Sequence, residues 1–162
     1  ILKVPNPMIL KECSKVMSLT DGTKKMSKSE PNENSRITLL DTPDLITTKI
    51  KRAKTDSELG LEFGNPSRPE ADNLLTIYSI ISGLGREKAA EYCKGMGWGK
   101  FKPEFTDAMI NVLKPIQEKY NELMNDQEEL NRVLNKGKTT AEEVSQLTLN
   151  RVKKALGFYS NL

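Results

Sequence analysis

The sequence predicts a mainly α fold: an antiparallel helical bundle with an extended, loop-bearing segment at its front. Three observations lead there. Apolar residues recur at steps of three and four through residues 103–125, which marks one face of a long helix. Helix-start chemistry precedes the stripes, with Asp41-Thr42-Pro43-Asp44 before one and Thr140 with Glu143 before another. Of 162 residues, 36% are apolar and 29% charged, a balance that suits thin helical layers better than a thick sheet.

Taken in order, residues 1–20 hold prolines and one short apolar run, Val16-Met17-Ser18-Leu19, which reads as a strand of a few residues. Residues 20–34 are turn chemistry, and Arg36 to Leu40 is an extended link. Asp41 or Thr42 caps a helix that runs to about Lys54, with Pro43 in its first turn and Asp44 at the positive end of the dipole. Its basic tail, Lys49, Lys51, Arg52 and Lys54, reads as a solvated face, with phosphate contact as the other reading. Leu59 to Arg68 is a connector. A second helix spans Pro69 to Gly83, and a short third spans Arg86 to Lys94, stopped by Gly95.

Gly95 to Lys102 breaks the periodicity with three glycines, Trp98 and Phe101 between lysines. The aromatics read as anchors of a tight loop, and Lys100 and Lys102 stay open for nucleic acid. The longest helix then runs from Pro103 to Asn125, burying Phe105, Met109, Val112, Ile116, Tyr120 and Leu123, with a kink expected before Pro115. A short helix covers Asp126 to Asn135. The last begins at the Thr140–Glu143 capping box and ends near Leu156, where Gly157 is placed to stop it.

Composition narrows the function classes. The net charge of +3 neither requires nor excludes a nucleic-acid partner. No apolar run approaches the roughly 20 residues of a membrane span. Cys13 and Cys93 lie too far apart in sequence for a metal or redox motif and read as reduced thiols, and no metal-ligand cluster is expected. The chain opens Ile1-Leu2-Lys3 without a Met, and from that start a fragment or processed product is expected.

The candidate functional stretch is Lys25-Met26-Ser27-Lys28-Ser29. Turn residues flank it: Thr20-Asp21-Gly22-Thr23 before and Glu30-Pro31-Asn32 after. Two ammonium groups with hydroxyls and open backbone N–H groups make a clamp for polyphosphate, able to stabilise charge on a leaving pyrophosphate. From residue types alone, a solvated basic turn is the competing reading.

Lys-Met-Ser-Lys-Ser is also the second signature of class I aminoacyl-tRNA synthetases, and every position matches. With Val16 to Lys24, Lys51 to Ser57, Asn73 to Tyr78, Gly95 to Lys102 and Pro115 to Tyr120, the chain resembles the bacterial-type tryptophanyl-tRNA synthetases from about Val4 to Gly157. Glu30 departs from the family's usual Asp and keeps the charge. The resemblance implies an enzyme that activates tryptophan with ATP and Mg2+ and passes it to tRNA(Trp), as a homodimer, in a cytoplasm or an organelle, with no membrane attachment. It implies that Lys25 and Lys28 are catalytic and that Val16, Lys25, Met26, Ser27, Lys28 and Ser29 bind ATP. Residues 1–40 would close the nucleotide-binding domain, and 41–162 would be the anticodon-binding helices; within them Lys51, Arg52, Lys54, Lys100 and Lys102 are the candidate tRNA contacts by their charge alone. The family's first signature contains His, and this chain has none. A carboxy-terminal piece, inactive by itself, is therefore expected. A tyrosyl-specific relative and a non-enzymatic helical module are the competing readings.

Overall fold

The computed structural model describes residues 2–9 and 14–158. Among the described residues the regular elements are helices, with one isolated antiparallel bridge, Met17 with Lys25, and irregular segments at the front. The helices are α1 (Pro43–Arg52), α2 (Pro69–Ile81), α3 (Gly85–Cys93), α4 (Trp98–Asn125) and α5 (Gln127–Ala155), with a 3-10 turn at Glu33–Ser35. Mainly α is thus correct. The chain divides into two compact units, Ile9–Glu118, and Ile1–Met8 with Lys119–Leu162.

In the larger unit the caps act as local chemistry requires. The Thr42 hydroxyl accepts from the Leu45 amide, and Pro43 occupies the first turn of α1. Ile46 and Ile50 of α1, Leu74 and Leu75 of α2, and Phe101 and Phe105 of α4 form the centre of the core, each at most 1% exposed. Tyr78 meets the Phe101 ring edge-on at 5.3 Å between centroids, while Phe101 and Phe105 stack at 5.7 Å. Such ring pairs add roughly 0.5–1.5 kcal/mol each beyond burial.

Lys49 corrects the reading of the α1 tail as a uniformly solvated basic face. It is 6% exposed and bonds Asp41, which also accepts from the amide and hydroxyl of Thr38. Burial opposes ionisation of Asp41, yet the Lys49 and Thr38 donors outweigh it and hold the carboxyl below its ordinary range. The connector has its own staple. Arg68, 4% exposed, makes a bidentate pair with Asp56 at 2.8 and 2.9 Å and donates to the Gly60 carbonyl. The same Asp56 accepts from the Trp98 indole N–H at 3.3 Å.

The predicted loop at 98–102 is instead the first turn and a half of α4. Gly97 offers its carbonyl to the amides of Lys100 and Phe101, so the glycines precede or join the helix rather than break it. The buried row of α4 follows steps of four, Phe101, Phe105, Met109 and Leu113; Val112, Ile116 and Tyr120, expected inside, are exposed.

In the smaller unit, the short helix and the capping box give way to one 29-residue helix, α5. The side chain of Asp126 caps it through the Glu129 amide. Thr140 is no cap: its hydroxyl donates to the Lys136 carbonyl one turn back, as Thr139 does to Asn135. Gly157, at φ +73°, ends the helix, and Phe158 donates to the Lys153 carbonyl. Cys93 is a buried free thiol, pushed up to about 11 by burial; Cys13 lies outside the described residues.

Candidate functional site

The signature loop stands on a small hairpin. Ser18 donates to the Lys24 carbonyl at 2.8 Å and Met26 to the Val16 carbonyl at 3.0 Å, which pairs residues 16–18 with 24–26. This much of the expected strand exists; only an isolated bridge forms because the pairing is so short. Asp21 shapes the turn. Its carboxylate accepts from the Thr23 amide and hydroxyl, and these bonds lower its pKa to about 2. Lys24 pairs with the same carboxylate at 3.3 Å.

Two contacts fix the hairpin to α2. The Asn73 side chain accepts from the Met17 amide and donates to the Met17 carbonyl, both at 2.9 Å. Gly22 lies against the start of α2 so closely that a Cβ there would sit 2.6 Å from backbone atoms of Pro69 and Glu70. Sequence reasoning missed Asn73. The available signal was a polar residue on the buried face between Ala71 and Leu74.

Within the loop, Met26 packs on the core while Lys25, Ser27, Lys28 and Ser29 are exposed. The Ser27 and Ser29 hydroxyls lie 3.0 Å apart and Ser27 accepts from the Ser29 amide, so the serines curl the chain locally. Neither the Lys25 nor the Lys28 ammonium has a partner among the described residues.

Val16, Lys25, Met26, Ser27 and Lys28 line one groove of about 610 Å³. Ser29 is the one predicted ATP residue outside its wall. Lys15, Arg36 and Thr38, not foreseen, are among the other residues of its wall. Arg36 is oriented by donating to the Glu30 carbonyl at 2.7 Å. A groove of this size, walled by three lysines, an arginine and hydroxyls, has the volume and charge for a nucleotide triphosphate.

The five basic residues expected to meet RNA part company. The Lys51 and Arg52 side chains are exposed at the end of α1, with no partner among the described residues. Lys54 pairs with Glu70 at 2.7 Å, a bond that raises its pKa, and Lys100 lies 3.9 Å from Glu104. Lys102 turns inward. Its ammonium donates to the Lys51 and Ala53 carbonyls at 3.0 and 2.8 Å, closing the C-terminus of α1, and burial lowers its pKa. Lys51 and Arg52 are thus open to an anion, and Lys102 serves the fold.

Comparison with known proteins follows the same lines. The family model described as tRNA synthetases class I (W and Y) matches residues 1–114. A tryptophan–tRNA ligase of Prochlorococcus marinus strain MIT 9313 is 64% identical over 158 residues, 98% of this chain and 47% of its own length. The chloroplastic/mitochondrial tryptophan–tRNA ligase of Arabidopsis thaliana is 50% identical over 159 residues, 98% of this chain and 39% of its own. The crystal structure of tryptophanyl-tRNA synthetase from Mycoplasma pneumoniae superposes with a TM-score of 0.81 at 30% identity, covering 93% of this chain and 47% of that one. The chain thus spans about half the length of the relatives it matches. With the signature loop, its groove and the helical fold agreeing, the chain belongs to the class I tRNA synthetases of the tryptophan and tyrosine group.

Proposed function

We propose that this chain is the carboxy-terminal part of a tryptophan–tRNA ligase, which joins tryptophan to ATP, releases pyrophosphate and passes the tryptophanyl group to its tRNA. The observation that supports this reading is the groove in which Lys25 and Lys28, without a partner among the described residues, stand beside Val16, Met26 and Ser27. In that groove the Val16 backbone lies against the adenine, and the two ammonium groups hold the triphosphate. As the bond to the α-phosphorus breaks, charge grows on pyrophosphate, and Lys25 and Lys28 meet it. Ser27 and Ser29 keep the loop curled so that both lysines face one side. Magnesium enters with ATP; among the described residues no three His, Cys, Asp or Glu side chains converge to hold it. Residues 1–40 close the nucleotide-binding domain and 41–162 supply the tRNA-facing helices, with Lys51 and Arg52 as the open phosphate contacts. The whole ligase is a homodimer that works in a bacterial cytoplasm or in an organelle.

The tryptophan pocket and the His-bearing signature belong to the remainder of the ligase, so the 162 residues alone are expected to give no tryptophan-dependent pyrophosphate exchange. Fusing this chain to the other half of the Prochlorococcus ligase, 64% identical in the shared part, is expected to restore exchange. A folded chimera that does not exchange overturns the reading, as does exchange by the chain alone at the chimera's rate.

A further inference from the structure

Glu70 stands in the first turn of α2, where the preceding Arg68 supplies no side-chain cap. A carboxylate in this place meets open amides and the positive end of the helix dipole. Two further partners come from outside the helix. The Gly22 amide donates to Oε1 of Glu70 at 3.3 Å, and the Lys54 ammonium bonds the same oxygen at 2.7 Å. The Glu70 side chain is 12% exposed. Burial opposes its ionisation, yet Lys54, its own amide and the Gly22 amide outweigh burial and hold the carboxyl below its ordinary range.

Three segments therefore meet on one oxygen: the turn of the signature hairpin, the residues after α1 and the start of α2. Lys54 grips the hairpin a second time, its amide donating to the Leu19 carbonyl at 2.8 Å. Glu70 and Asn73 lie three residues apart and so share one face of α2. That face holds the hairpin at its turn, through Gly22, and in its first arm, through Met17. The second arm, residues 24–26, pairs with residues 16–18 and leads into Lys25 and Lys28. Without the Glu70 bond the turn keeps its internal Asp21 bonds to Thr23 but loses its polar tie to the helix. Glu70 belongs neither to the hydrophobic core nor to the wall of the groove.

We propose that Glu70 is a positioning residue for adenylate formation: its carboxylate, steadied by Lys54, fixes the Gly22 turn and thereby the place from which Lys25 and Lys28 reach the triphosphate. The proposal rests on the tRNA ligase reading above. It also gives Lys54 a task in the step that precedes tRNA.

Two variants separate reach from charge. Glu70→Asp keeps the charge at the helix start and withdraws it by one methylene from Gly22; Glu70→Gln keeps an acceptor within reach and removes the charge. Both are placed in the chimeric ligase and followed by presteady-state adenylate formation without tRNA, with tryptophan binding and urea unfolding measured alongside. Glu70→Asp is expected to be about tenfold slower, part of the hundredfold that a 1 Å misplacement costs, with tryptophan affinity and urea midpoint close to the parent's. Glu70→Gln is expected to stay within about threefold of the parent. Because Glu70 acts through the signature lysines, adding Glu70→Asp to Lys28→Ala is expected to slow that variant by less than about threefold, where independent effects multiply. Parent-like rates in Glu70→Asp, equal losses in both variants, or a full tenfold loss on top of Lys28→Ala each overturn the positioning role. Loss of stability in Glu70→Gln with unchanged rates shows a helix-dipole contact alone and overturns it too. If Lys28→Ala is slow while Glu70→Asp is not, the ligase reading stands and this proposal falls; a folded parent chimera without exchange overturns both.

Discussion

In the chimeric ligase, Lys28→Ala is expected to slow adenylate formation by on the order of 10²–10³-fold while tryptophan binding stays nearly unchanged. That range is what one lost donor to developing charge costs in comparable sites, about 3–4 kcal/mol. The Lys28 ammonium has no partner among the described residues, so its removal strands no carboxylate there and the effect is expected in the rate. In the proposed role it meets charge that develops mainly as pyrophosphate leaves, so the loss is expected in the chemical step rather than in ground-state binding. Lys24→Ala is the control. That lysine is exposed and occupied by Asp21, and its loss is expected to change the rate by less than about twofold, as for an exposed ion pair. Presteady-state adenylate formation by both variants decides the matter. A Lys28→Ala rate within about twofold of the parent removes Lys28 from the mechanism.

The largest effect on stability is expected from Phe101→Ala. The ring is fully buried and touches Tyr78, Trp98 and Phe105, so it joins α2 to both ends of the first α4 turns. Truncation removes the burial free energy and leaves a ring-sized void, a loss of roughly 3–5 kcal/mol. Urea unfolding followed by circular dichroism measures it. A loss below about 1 kcal/mol shows that the surrounding rings collapse into the space and that the aromatic group is not the keystone of this core.

What the sequence revealed and what it hid follow from range. The starts of α1 and α2 were legible because a cap and a proline act on their immediate neighbours. The signature loop was legible because its chemistry lies in five consecutive residues. The start of α4 was misread because Gly95, Gly97 and Gly99 count as breakers in a local reading; none of the three takes a positive φ here. The division of α5 was misread because Thr140 with Glu143 carries helix-start chemistry, which the backward bond of Thr140 to Lys136 absorbs inside the helix. Lys49 and Lys102 resembled surface cations, and only tertiary structure shows the carboxylate and carbonyls that receive them. Asn73 was invisible for the same reason, since its partner lies 56 residues away.

That Asn73 contact bears on how the signature loop breathes. A carboxamide that both gives and takes a hydrogen bond at Met17 imitates a neighbouring strand, but it is carried by a buried position of α2. Turns around it fray on their own, whereas the Met17 amide proton trades with solvent only when α2 opens or slides. In deuterated water, Met17 should therefore keep time with the amides of α2 rather than with those of residues 20–24. The ammonium groups a few residues on are then hung from the slowest-opening part of their surroundings, so the loop tip moves while its root does not.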